Sequence, residues 1–224
     1  MTISLPASLV DSDTARALRL LRSYYGHPIA GPASRSGASF DTWDSTGTRD
    51  RDRDVFTADD LVAVSLLSVD VPGLAARRLL VEEKDRYNAM LAAVGSDRDL
   101  ATVEHLADDG PEWALDQALL ELPGVGPTTA SKLYARKRPR LRPIYDTVVA
   151  EVLGTVKHHW EPLRQALQPA NGDLHERLLR LRDQAGLPEA VSALRVLDVV
   201  VWMEGKHAQQ VDVRTTSVVQ ADRP

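Results

Sequence analysis

Nine residues, Leu122-Pro123-Gly124-Val125-Gly126-Pro127-Thr128-Thr129-Ala130, constrain the fold of this chain more than any other segment. Two glycines flank one small apolar residue, and a proline follows at once. Glycine can take positive φ and lets another backbone come close, whereas proline suits a first helical position, where a missing amide hydrogen costs nothing. The pattern predicts a helix ending at Leu122, a tight turn, and a new helix beginning at Pro127. Val125 would turn inward and hold the two helices together. The uncovered amides at the start of the second helix, helped by its dipole, can bind a phosphate. An ordinary helix-helix turn is the plainer alternative.

The rest of the chain also reads as helical. Ser12 precedes a periodic run from Ala15 to Tyr25 that stops at Gly26, an amphipathic pattern with a cap at each end. Residues 27–55 lose the period and collect Pro28, Gly31, Pro32, Gly37, Gly47 and an Arg-Asp alternation from Arg49 to Asp54, which predicts an irregular loop. Thr57 with Asp60 three residues on resembles a capping box opening Leu61 to Val69, a buried helix whose β-branched content leaves a strand open. Further helices are predicted over Leu74 to Ala93, Pro111 to Leu122, Thr128 to Arg138, Thr147 to Leu153, Trp160 to Leu167, Asp173 to Ala185 and Pro188 to Met203. No strand alternation supports a sheet, so the fold class is all-α. Residues 1–206 read as a single helical domain, with its hairpin core at about 111–153 and possible division into two small lobes around a cleft, followed by a polar, frayed tail over 207–224.

Composition bears on partners. The chain has no cysteine, so disulfides, thiolate zinc sites and cysteine-ligated iron-sulfur clusters are excluded, and no cofactor or metal is expected. Met1 to Ala7 lacks a basic segment followed by an apolar core, and the apolar runs are short; a cytoplasmic protein with no membrane partner is the natural expectation. The net charge is −5, yet Leu122 to Trp160 holds seven Lys or Arg against Asp146 and Glu151. That basic segment, +5 on a remainder of −10, suggests one anion-binding face turned toward nucleic acid.

Leu122 to Ala130 resembles the helix-hairpin-helix of the DNA glycosylase superfamily that includes endonuclease III and the adenine-mismatch glycosylases. In Pro143-Ile144-Tyr145-Asp146-Thr147 the aspartate lies twenty residues beyond Gly126, which resembles that family's order and spacing. The resemblance covers about Leu120 to Leu153, and the whole chain also looks like an uncharacterised actinobacterial family. It implies a helical glycosylase-like fold and duplex DNA as partner, with Gly124, Val125, Gly126, Thr128, Thr129, Lys132, Arg136, Lys137, Arg138 and Arg140 along the DNA backbone. Asp146 would be the catalytic carboxylate, stabilising an oxocarbenium-like sugar as the N-glycosidic bond of a flipped nucleotide breaks. Asp146 would equally cap the helix beginning at Thr147, and the two roles are compatible. Thr128 stands where bifunctional members carry a lysine, which implies a monofunctional enzyme without strand cleavage.

Other residues are read more plainly. Phe40, Trp43 and Tyr145 are candidates for a base pocket, because a flipped base is commonly held between aromatic faces, although such residues also pin loops or fill cores. His158-His159 lacks a third ligand at metal spacing, and Trp160 reads as core. Asp198, in an apolar helix, would pair with Arg195 one turn earlier, since an unpaired buried carboxylate has a raised pKa. No wedge residue or general acid is visible. The rival to an enzyme is a non-catalytic DNA- or partner-binding module with Asp146 only a cap, and a scaffold used for protein contacts alone is a third possibility.

Overall fold

Apolar residues recur at helical spacing along most of the chain, and the computed structural model turns each such run into a helix. It describes residues 3–10, 14–26 and 34–221, with side chains to residue 209; the expected cap at Ser12 and the first part of the 27–55 loop lie outside the described residues. Eleven α-helices and no strand occur among them: α1 Ala7–Val10, α2 Ala15–Tyr25, α3 Ala58–Ser65, α4 Gly73–Arg77, α5 Lys84–Ala93, α6 Pro111–Leu120, α7 Pro127–Lys137, α8 Thr147–Leu153, α9 Trp160–Leu167, α10 Leu174–Gln184 and α11 Ala193–Ala221. The fold is all-α.

Local chemistry sets the boundaries. The Asp60 carboxylate accepts the Thr57 amide at 2.8 Å and opens α3, so the segment that left a strand open is helical as far as Ser65, although the helix expected to reach Val69 gives way to a turn at residues 66–68. Gly26, at φ +75°, ends α2. The single helix predicted over Leu74 to Ala93 is instead broken, because a π-helical turn at Arg78–Glu82 separates α4 from α5. The C-terminal expectation needs a larger correction. Helical backbone continues to Ala221 rather than fraying after residue 206, for the segment contains neither proline nor a second glycine after Gly205 to stop it.

The helices sort into two groups by packing. In the first, α3 lies on α7, α7 on α6, and α6 on α5; in the second, α11 is the hub for α2, α8 and α10. One continuous apolar cluster joins them. Gly205 sets the approach of α11 to α8, since a Cβ there would lie 2.5 Å from Val148 Cγ1 and 3.0 Å from Val152 Cγ2. Among the described residues no helix is long and apolar enough to cross a membrane.

Candidate functional site

The turn between α6 and α7 is built as its sequence demands. The Val125 amide donates to the Leu122 carbonyl at 3.0 Å, and Val125 is buried. Gly124 takes φ +74°, where an L side chain is strained, and a Cβ there would also press to 3.1 Å from Pro72 Cγ. Gly126 is extended, with nothing within 4 Å of where a Cβ would stand, and no side chain caps the first amides of α7. The turn thus leaves its backbone open to solvent on the side where α7 begins.

The segment carrying Asp146 is stapled to α7 and α9. Ser131, wholly buried, donates its hydroxyl to the Thr128 carbonyl at 3.0 Å and accepts the Tyr145 amide at 2.9 Å. His159 meets the Ile144 carbonyl through Nε2 at 3.0 Å and the Thr155 hydroxyl through Nδ1 at 2.8 Å. A carbonyl can only accept, so Nε2 carries the proton and Nδ1 accepts. Burial, with the nearby Arg142 charge, holds the His159 pKa down at about 4. The ring is therefore neutral at ordinary pH and acts as a fixed brace.

So held, Asp146 opens α8 as its N-cap: Oδ1 accepts the Val148 amide at 2.9 Å and the Val149 amide at 3.4 Å. It also faces a cleft of about 470 Å³ between the two helix groups, which Thr128 and Lys132 of α7, Tyr24 of α2, and Asp198 and Trp202 of α11 share. The Tyr24 and Trp202 rings meet edge to face with centroids 6.2 Å apart. Arg35 and Lys206 place cationic groups 5.2 Å and 5.9 Å from the Trp202 ring centre. Ser68, also in the wall, is the one non-glycine residue with positive φ among the described residues, at +60°. Such backbone costs energy and persists where its surroundings fix it.

Lys132 enters this cleft rather than reaching outward. Its Nζ donates to the Leu67 carbonyl at 2.9 Å, and burial lowers its pKa, opposed by the charges of Asp146 and Asp198. Asp198 pairs with Arg195 as expected. Its pKa is nonetheless pushed up to about 6, by burial above all and then by the Asp146 charge, with Arg195 pulling the other way.

Several expected site residues are corrected. Arg136, Lys137 and Arg138 do not line an outer face; all three are buried. Arg136 donates to Asp60 Oδ1 and to the Phe40 and Trp43 carbonyls, Lys137 to Asp60 and the Asp52 carbonyl, and Arg138 to Asp54 and the carbonyls of Arg53, Leu91 and Gly95. These cations satisfy the carbonyls of irregular segments and, at Leu91, of the last turn of α5, which no helix or sheet bond reaches, so they are spoken for. Arg140 is half-exposed but paired with Asp97 and Asp99, and the Thr129 side chain is buried. The aromatic trio is likewise scattered. Phe40 is buried under Arg195, Trp43 packs beside the core outside the cleft, and Tyr145 faces a separate groove with Trp113 and Trp160.

The aromatic residues in the cleft are instead Tyr24 and Trp202. The signal for Trp202 lay in the last helix, where Arg195, Asp198, Trp202 and Lys206 recur every three or four residues and so share one face. Neither a curated protein nor a solved structure shows significant similarity to the chain. A family model, however, matches residues 17–205, most of the sequence, and the protein belongs to that family, described as a family of unknown function (DUF6308).

Proposed function

We propose that the protein is a monofunctional, DNA glycosylase-like enzyme of the cytoplasm that hydrolyses the N-glycosidic bond of a damaged, mismatched or modified base. One observation carries the reading: Asp146 caps α8 while facing a cleft that it shares with Thr128, two residues beyond the exposed hairpin glycine Gly126. A cleft of about 470 Å³ falls in the range of about 300–1,000 Å³ typical of ligand pockets. Tyr24 and Trp202 offer aromatic faces to a base turned out of the duplex. The Asp146 carboxylate would stand beside the sugar and stabilise the positive charge that grows as the bond to the base lengthens. Phosphate contacts would come from the hairpin backbone at Gly124 and Gly126, and from Arg35 and Lys206 at the cleft, in place of the buried basic run.

A second reading has its own support. Both amides at the start of α8 are taken by Asp146 Oδ1, which is all that a purely structural cap needs, and a DNA-binding module without catalysis would keep it. Incubating a panel of damaged and modified duplexes with the native protein and with Asp146→Asn, and measuring free base by mass spectrometry, separates the two. Release that vanishes in the variant, with strands intact until alkali is added, supports the enzyme. No release from any duplex, with salt-sensitive binding weakened by Gly124→Ala, supports the module.

A further inference from the structure

Arg195 sits in the wall of the cleft between two carboxylates. Its Nε donates to Asp41 Oδ2 at 3.1 Å, Nη1 to Asp198 Oδ2, and Nη2 to the Tyr24 hydroxyl at 2.8 Å and the Gly37 carbonyl at 3.0 Å. One guanidinium thus pairs directly with two buried acids; Arg49, bonded to the Asp41 carbonyl, and Lys132 add positive charge from beyond these pairs, but with both acids ionised the paired groups themselves would carry a surplus negative charge away from water. A bound proton removes that surplus at far lower cost than an unbalanced buried charge.

The two acids differ in access. Asp41 is sealed: its side chain is 1% exposed, Tyr25 donates to Oδ2 at 3.2 Å, and Oδ1 is buried with no partner. Asp198 lines the cleft, and its Oδ2 is held by Arg195. A proton shared by the cluster can therefore be exchanged with a cleft occupant at Asp198. The charged groups around it are Arg195 on its own helix, Lys132 from α7, and Asp146 from the start of α8, with Arg35 and Lys206 further along the wall.

We propose that Asp198 is the acid of this cleft, protonating the departing base while Asp146 faces the sugar. The inference rests on the glycosylase reading above. In the step, the C1′–N bond breaks and its electron pair goes to the base nitrogen, which takes the proton from Asp198. Water adds to the sugar carbon, and its second proton leaves through the Asp146 carboxylate to solvent. The products are neutral base and an abasic sugar, and solvent reprotonates Asp198. The elevated pKa of about 6 keeps part of the population in the acid form near neutrality, the condition under which a general acid works best.

The test is the single-turnover rate of base release between pH 5 and 9, on a duplex that the native protein cleaves and on an analogue whose base carries an electron-withdrawing substituent. For the native protein the rate should fall above pH about 6 as Asp198 loses its proton. Asp198→Asn should be slower by about 100-fold or more, lack that alkaline limb, and recover more of its rate than the native protein does on the analogue, which needs less help to leave. Lys132→Met, which removes a cation favouring ionised Asp198, should move the native limb to higher pH, and this measurement stands even if Asp198→Asn folds poorly. An unchanged rate in Asp198→Asn, or a uniform loss with the same pH profile and no rescue, together with an unmoved limb in Lys132→Met, overturns the proposal while leaving a glycosylase. No base release by the native protein from any duplex removes the glycosylase reading itself, and the proposal with it.

Discussion

Two buried ion clusters tie the segment between residues 41 and 60 to the helices, and they are balanced in opposite ways. At the far end of α7, Asp60 lies between Arg136, at 3.3 Å, and Lys137, at 2.5 Å, so two cations meet one acid. The surplus positive charge is spread over the carbonyls of Phe40, Trp43 and Asp52, and the cluster is closed from solvent. At the cleft, one cation is paired directly with two acids, Arg49 and Lys132 acting on them from beyond the pairs, and one of those acids opens to the cavity. Backbone oxygens can absorb excess positive charge, but only amides, hydroxyls or protons can absorb excess negative charge. The first cluster is therefore stable as a strut, whereas the second holds an exchangeable proton.

Deleting the acid of the strut should produce the largest effect. Asp60→Ala leaves two buried cations without a counter-charge, an alteration that costs about 3–5 kcal/mol when a buried pair is broken, and it also removes the capping bond to the Thr57 amide. Urea denaturation should register it as a lower midpoint. Asp41→Asn should cost much less, because Arg195 keeps Asp198 as its partner and the cluster sheds its surplus charge. Equal losses for the two variants would erase the distinction between the clusters.

The next largest effect is on pH dependence, where His159 and Asp198 pull in opposite directions. His159 is held near pKa 4, below its ordinary 6.5, so acid protonates the unfolded chain first. Its contribution is complete above pH about 6.5 and is lost as pH falls toward 4, a total of about 3 kcal/mol for a gap of that width. Asp198 is raised to about 6 from 3.8; its folded form binds the proton more tightly, so its contribution is complete at low pH and is lost as pH rises through 6. Between pH 4 and 6 the two slopes oppose. Denaturation across that window should show His159→Asn gaining stability relative to the native protein as pH falls, and Asp198→Asn gaining as it rises. Difference curves of the same sign would mean that one of these groups is not buried as described.

How much of this was legible in the sequence follows from the range of the interactions involved. The helix over Thr147 to Leu153, the turn at Gly124 and the pairing of Asp198 with Arg195 depend on neighbours within a few residues, and each was readable. The fate of Arg136, Lys137 and Arg138 was not, because it depends on backbone carbonyls some forty to ninety-six positions away, and a basic run looks the same whether it faces phosphate or the interior. Phe40 and Trp43 misled for the same reason: an aromatic residue in a long loop does not declare which wall it joins. Trp202 and Tyr24 were visible as helix residues, but their meeting required α11 to pack against α2.

A smaller effect probes the cleft's far wall. Gly205→Leu would force a side chain into the 2.5 Å separation from Val148 and push α11 from α8, at a cost of about 1–3 kcal/mol from overpacking. Since Asp198 and Trp202 ride on α11 while Asp146 begins α8, melting temperature and base release should fall together. A stable but inactive variant would show that the spacing of the two walls matters beyond holding the fold.

The smallest expected change in stability comes from Asp146→Asn, and it bears most directly on what the cleft does. Asparagine caps a helix about as well as aspartate, whereas alanine in its place costs about 1 kcal/mol. Asp146→Asn should therefore melt close to the native protein, with Asp146→Ala somewhat below it, because the Val148 and Val149 amides keep an oxygen to bond in the first case and lose it in the second. What asparagine cannot supply is the negative charge beside a developing oxocarbenium ion, and removing a preorganised electrostatic partner of that kind typically costs about 100-fold or more in rate. A structural cap predicts that DNA binding and any activity track the melting temperature across the two variants. A catalytic carboxylate predicts that asparagine and alanine abolish base release alike, although only alanine destabilises the fold, and the separation of those two curves measures how far Asp146 exceeds the cap it also provides.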